Sequence, residues 1–178
     1  MLLLQNQQKD FKVLEFHKSK TLSGDSDNRE AMAAAHYWKN LFNFQFKRER
    51  NGQYPNLFLN YGYTILRAAT ARALSGSGLL NTIGIHHRNK YNAFCLADDI
   101  MEPYRPWIDA KVIQIVNNFH EQELTTAIKA KLLETLTDTV FFKNSKSPLM
   151  VGLSKTTASL QQCFMGTETK IKYPKLWN

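Results

Sequence analysis

The sequence predicts a mainly α-helical, multi-helix chain forming a single domain over residues 1–178, with a small β-hairpin near residues 139–153. Two runs carry this reading. Residues 29–42 and 60–74 are alanine-rich, and in the second Ile65, Leu66, Ala69, Ala73 and Leu74 recur at the helical period. Stretches rich in Gly, Ser and Asp separate these runs from their neighbours, which is how helices are stopped and restarted. With 43% hydrophobic and 12% aromatic residues, the chain has enough apolar material for a globular core.

Taken in order, residues 2–19 read as a helix through Leu3, Leu4, Phe11, Leu14 and Phe16. Residues 21–27 are turn-rich, and Ser26 or Asp27 suits an N-cap for the next helix. With Asp27 as the cap, Glu30 falls three positions later, so its plainest role is a helix-end partner. Alanines beside Tyr37 and Trp38 imply close helix packing, with both aromatics in the core. Lys47-Arg48-Glu49-Arg50 reads as a solvated charged loop, and the helix over 60–74 ends at Ser75-Gly76-Ser77-Gly78. Pro103 and Pro106 frame a kink, and helices follow over 107–119 and 125–137, with Trp107 in the core. Residues 139–142 and 149–153 are the apolar runs of the expected hairpin, flanking 143–148. Ser154 then reads as the cap of a last helix to about Met165, followed by a basic tail over 170–175.

Charge narrows the partners. Lys and Arg total 23 against 15 acids, a formal +8 that favours a polyanion such as nucleic acid. Cys95 and Cys163 are far apart with no C-x-x-C pair, which argues against a zinc cluster or disulfide scaffold and fits a reducing cytoplasm. No apolar run reaches the roughly 20 residues of a membrane span, so the expectation is a soluble protein without a membrane partner. The glycines make neither a phosphate-binding G-x-x-x-x-G-K-[ST] loop nor a dinucleotide fingerprint. No histidine is followed by aspartate, which removes the His-Asp phosphohydrolases, and nothing resembles a Ser-His-Asp arrangement.

The chemistry gathers in residues 84–106, where His86, His87, Arg88 and Lys90 precede Asp98, Asp99 and Glu102. Asp99 and Glu102 are three apart and Asp98 and Glu102 four apart, so one helical face can present two carboxylates. Carboxylates so gathered call for a cation. The simplest is a divalent metal with His86 or His87 as nitrogen ligand; oxygen-rich ligation suits Mg²⁺, and one nitrogen admits Mn²⁺. Arg67, Arg88, Lys90 and Arg105 are candidates for phosphate contacts that position a strand without reading bases. Asp98 has the simpler reading of a solvent-facing acid, and Arg105 that of a partner for a carboxylate such as Asp109.

Four segments in order carry a resemblance: Glu30 within Asn28-Arg29-Glu30-Ala31-Met32-Ala33-Ala34-Ala35-His36-Tyr37-Trp38, then Asn60-Tyr61-Gly62-Tyr63, Gly84-Ile85-His86-His87-Arg88-Asn89, and Leu96 to Pro106. Together they resemble the CRISPR adaptation integrase, the Cas-one family, in the form that accompanies type II systems. The resemblance implies a helical catalytic domain that follows an N-terminal β-rich domain in the family. The abrupt helical start here leads us to expect a chain lacking that β domain. It also implies a metal-dependent DNA endonuclease and integrase of spacer acquisition, acting as a homodimer with the small Cas-two protein. Matched position by position, it makes Glu30, His87 and Glu102 the catalytic metal ligands, with Asp99 as a weaker fourth, and sets Tyr61 near the DNA. The doubled histidine leaves the register between His86 and His87 open, with His87 the preferred match. The alternative expectation is a non-catalytic DNA- or partner-binding helical fragment that lacks the dimer needed for integration.

Overall fold

A computed structural model of the chain describes residues 3–4, 10–20, 27–42 and 45–175. It is mainly helical with one two-stranded antiparallel hairpin among the described residues, as the sequence predicts. The chain divides into two compact units, Met1–Asn56 and Leu57–Asn178.

In the first unit, α1 (Lys12–Lys20) packs on α2 (Arg29–Leu41). Ser26, one of the two expected caps, lies outside the described residues. The N-cap of α2 is Asn28, in the left-handed region at φ 54°, and its side chain makes no capping bond. Glu30 therefore stands at the second helical position, where a carboxylate suits the positive helix end. Trp38, Phe42 and Phe46 cluster below, with the Arg48 guanidinium 6.0 Å over the Trp38 ring. The charged 47–50 loop is anchored: Asn56 Oδ1 accepts from the Glu49 N–H (2.9 Å) and Arg48 Nη1 (3.1 Å), and Asn56 Nδ2 donates to the Lys47 carbonyl (3.0 Å).

The second unit is built on α3 (Asn56–Gly76), α4 (Cys95–Met101), α5 (Arg105–Asn118), α6 (Thr126–Glu134) and α7 (Leu149–Phe164). Gly78, at φ 71°, closes α3: Leu79 N–H reaches the Leu74 carbonyl and Gly78 N–H the Ser75 carbonyl, a two-bond stop that needs a left-handed residue. Leu79 then folds onto the apolar cluster of Ala71, Leu74, Leu96, Ala97, Ile100 and Leu160, which ties α3, α4 and α7 together. The kink at Pro103 is a single 3₁₀ turn, Glu102–Tyr104, and Tyr104 is fully buried with its hydroxyl 2.7 Å from Thr156 Oγ1. At Gly62 α3 lies close against α5, since a Cβ there would lie 2.5 Å from Ile108 Cγ2. Gly62→Ala is expected to cost about 1–3 kcal/mol of stability through overpacking, read as a lowered Tm in denaturation of the purified variant.

The hairpin differs from its expected form. β1 is Thr139–Phe142, but its partner β2 is Ser145–Pro148, with Phe142 opposite Ser145 across a two-residue turn. Residues 149–153, expected as the second strand, are the start of α7, and Ser154 lies inside that helix, bonded to the Met150 carbonyl, rather than capping it. The reason is period: Leu149, Gly152, Leu153, Thr156, Thr157 and Leu160 form one buried helical stripe. Among the described residues no helix is long and apolar enough to cross a membrane.

Candidate functional site

Five of the seven residues of α4 are buried, and the two that are not are Asp98 and Asp99. Burial of Leu96, Ala97 and Ile100 in the α3–α7 cluster therefore fixes where both carboxylates stand. Each then organises part of the preceding loop.

Asp99 is the acceptor around which residues 84–87 turn. Its Oδ2 accepts from the Ile85 N–H (2.6 Å) and His86 N–H (2.9 Å), and its Oδ1 from the His87 N–H (3.1 Å). The His87 ring joins them through Nδ1, 2.5 Å from Oδ1. Burial pushes the Asp99 carboxyl up, but the bonds from the His86 N–H, the His87 ring and the His87 and Ile85 N–H groups outweigh it and hold it below the usual carboxylate range. A carboxylate at Nδ1 fixes the ring tautomer and leaves the lone pair on Nε2, the arrangement that second-shell acids impose on metal-binding histidines. His86 offers only its backbone N–H to Asp99, so the doubled histidine is asymmetric. Gly84 permits the turn: a Cβ there would run into the His87 carbonyl oxygen and lie 2.9 Å from Asp99 Oδ2.

Asp98, expected to face solvent, is paired instead. Arg67 Nε donates to its Oδ1 (2.6 Å) and Arg67 Nη2 to its Oδ2, a two-bond fork from α3. Asn92 Nδ2 donates to the same Oδ2 (2.7 Å), and Asn92 Oδ1 accepts from the Phe94 N–H (2.9 Å) and Arg67 Nη2 (3.3 Å). Phe94 lies under the guanidinium, 5.2 Å from Cζ to ring centroid. Burial pushes the Asp98 carboxyl up; the hydrogen bonds from Arg67 and Asn92, with the Arg67 charge, more than reverse this. Arg67, read from sequence as a phosphate contact, thus has its fork occupied by a protein carboxylate. Asn92 and Phe94, which sequence reasoning passed over, complete the tether; an Asn two residues before an aromatic gives little signal without a partner in view.

Glu102 opens the 3₁₀ turn with its side chain half exposed, and Arg105 Nη2 is 3.7 Å from its Oε1. Arg105 also lies over the Tyr63 ring at 5.4 Å, while Asp109, its expected partner, accepts the Tyr63 hydroxyl at 2.5 Å. In Asn60-Tyr61-Gly62-Tyr63, Tyr63 is thus the residue reaching α5, whereas Tyr61 faces Lys129, whose Nζ is 6.0 Å from its ring. Tyr173, read from sequence only as part of the basic tail, packs on Tyr104 with ring centroids 6.1 Å apart. Burial, with the charges of Asp99 and Glu102, pushes its phenol up to about 12. Arg88 and Lys90 are exposed. Glu30 belongs to the first unit and is exposed there.

The family model described as CRISPR associated protein Cas1 matches residues 20–145, well over half of the chain. The chain belongs to the Cas1 family. The CRISPR-associated endonuclease Cas1 of Neisseria meningitidis serogroup C is 38% identical over 160 residues, covering 89% of this chain and 52% of that protein. A Cas1 endonuclease of Francisella tularensis subsp. novicida is 28% identical over 139 residues, covering 72% of this chain and 44% of its own length. This Cas1 chain thus spans about half the length of the curated relatives it matches. Among solved structures, a casposase bound to its integration product shares the fold with a TM-score of 0.69 at 21% identity, over 81% of this chain and 48% of that one.

Among the described residues, no three His, Cys, Asp or Glu side chains stand together as a ready-made metal cage. The second unit of this Cas1 chain supplies one nitrogen and one oxygen donor of the kinds divalent ions accept: an imidazole held by a carboxylate and, on the turn after α4, the carboxylate of Glu102.

Proposed function

We propose that this chain is the catalytic domain of a DNA integrase of CRISPR spacer acquisition, cleaving and transesterifying phosphodiesters with Mg²⁺ or Mn²⁺. The observation that carries the reading is the Asp99–His87 pair, an imidazole oriented by a carboxylate that four donors hold in place. His87 presents Nε2, Glu102 a carboxylate oxygen, and Glu30, from the family motif, the remaining acid. Asp99, with both oxygens engaged, orients the histidine instead of ligating. A divalent ion held there supplies Lewis-acid stabilisation of a phosphoryl oxygen. The nucleophile is a DNA 3′-hydroxyl in integration and water in hydrolysis, so no protein nucleophile is required. Arg88 and Lys90 neutralise the strand; Arg67 holds the loop that displays them. In the full-length family setting the partners are DNA, a second copy and the small Cas-two protein.

Cleavage of branched DNA in Mn²⁺ tests this. Glu30→Ala, His87→Ala and Glu102→Gln are each expected to lower the rate at least about a hundredfold while DNA binding persists. Wild-type rates in these variants would overturn the catalytic assignment of these residues, and metal-independent binding with no cleavage by any form would leave a DNA-binding module in place of an enzyme.

A further inference from the structure

Residues 171–175 lie outside every helix, yet they are firmly tied down. Ile171 packs on the apolar cluster that seats α4. The Lys172 N–H donates to Ser159 Oγ at 2.8 Å, and the Lys172 carbonyl accepts from Thr156 Oγ1 at 2.7 Å, both side chains being buried on α7. The Lys175 N–H donates to the Phe141 carbonyl at 2.7 Å, which lays the segment against β1.

Thr156 has one hydroxyl proton, and it goes to the Lys172 carbonyl. The Tyr104 hydroxyl, 2.7 Å from Thr156 Oγ1, is therefore the donor in that bond. A single buried hydroxyl thus joins residues 171–175 to Tyr104. The Tyr173 ring completes the join by packing on the Tyr104 ring, with centroids 6.1 Å apart and planes at 59°.

Tyr104 closes the 3₁₀ turn that Glu102 opens. A turn of three residues has little stability of its own, so its place is set by what Tyr104 packs against. Glu102 itself is weakly tethered, half exposed with Arg105 3.7 Å away. The charges of Asp99 and Glu102 both act on the Tyr173 phenol, which puts the ring close to both acids. We infer that Tyr173 is a positioning residue for the metal site: seated on Tyr104, its ring sets where the 3₁₀ turn presents the Glu102 carboxylate to the divalent ion. The inference rests on the metal reading of Glu102 given above.

The test follows Mn²⁺ binding to the whole chain and Mn²⁺-dependent cleavage of branched DNA, at a temperature where each variant is folded. Tyr173→Ala is expected to weaken Mn²⁺ binding roughly tenfold, with the cleavage rate returning to within about twofold of wild type at saturating Mn²⁺. Tyr173→Phe keeps the ring and should keep wild-type affinity. Should Tyr173→Ala fail to fold, Thr156→Val reads the same link, because it removes the hydroxyl that joins Tyr104 to residues 171–175. A loss of Mn²⁺ affinity in the same direction is expected there. Wild-type Mn²⁺ affinity in a folded but less stable Tyr173→Ala or Thr156→Val protein would show a purely structural role. That result overturns the inference and leaves the metal reading standing. Equal losses in Tyr173→Phe and Tyr173→Ala would move the effect to the hydroxyl and overturn it as well. If wild type binds no Mn²⁺, this inference and the metal reading fall together.

Discussion

Asp99→Ala is expected to cost about 2–4 kcal/mol of stability and to weaken Mn²⁺ binding roughly 10–100-fold. The side chain is only 7% exposed and accepts four hydrogen bonds, three of them from consecutive backbone N–H groups. Truncation leaves those donors aimed at a void and the His87 ring without its orienting acid. Asp99→Asn should fall between, since one amide oxygen still accepts while the amide nitrogen confronts N–H donors. Urea denaturation gives the first quantity and a metal titration the second. A folded Asp99→Ala protein that binds Mn²⁺ as wild type does would show that Asp99 does not position His87.

Arg67→Ala should be comparably damaging, at about 2–4 kcal/mol. It strands the Asp98 carboxylate, 13% exposed, without its fork, and frees the Asn92 tether of the loop. Water reaching the Arg67 side chain, 36% exposed, keeps the cost toward the lower end. Arg67→Lys should recover only part, because an ammonium cannot make the planar fork. The pH dependence follows from the same pair. Because the folded carboxyl titrates below its ordinary value of about 3.9, its contribution is complete above that pH and is lost as pH falls toward the lower, folded value. Unfolding free energies between pH 5 and pH 2 should therefore fall less steeply in Asp98→Asn than in wild type. Equal slopes would remove this pair from the acid response.

The helices were legible because periodicity reports burial directly: the cluster residues Ala71, Leu74 and Leu160 lie on helical runs visible in the sequence. The hairpin was half legible. Residues 149–153 are apolar enough for a strand over five positions, and only the longer repeat through Thr156 and Leu160 reveals a helix. Within the site, residue types were readable but their partners were not. Spacing suggested that Asp98, Asp99 and Glu102 share a cation; instead Arg67 answers Asp98, and backbone N–H groups with the His87 ring answer Asp99. A guanidinium 31 positions from its carboxylate leaves no local mark in a single sequence. Nor does the demand at Gly84, which comes from the His87 carbonyl and Asp99 side chain crowding its Cβ position.

The central claim is that Glu30, His87 and Glu102 hold one divalent ion, and equilibrium Mn²⁺ binding followed by the loss of the free-ion electron paramagnetic signal reads it most directly. The account predicts one tight site per chain in wild type, lost in Glu30→Ala, His87→Ala and Glu102→Ala alike, and retained in Arg88→Gln. Undiminished Mn²⁺ binding by folded Glu30→Ala would contradict it.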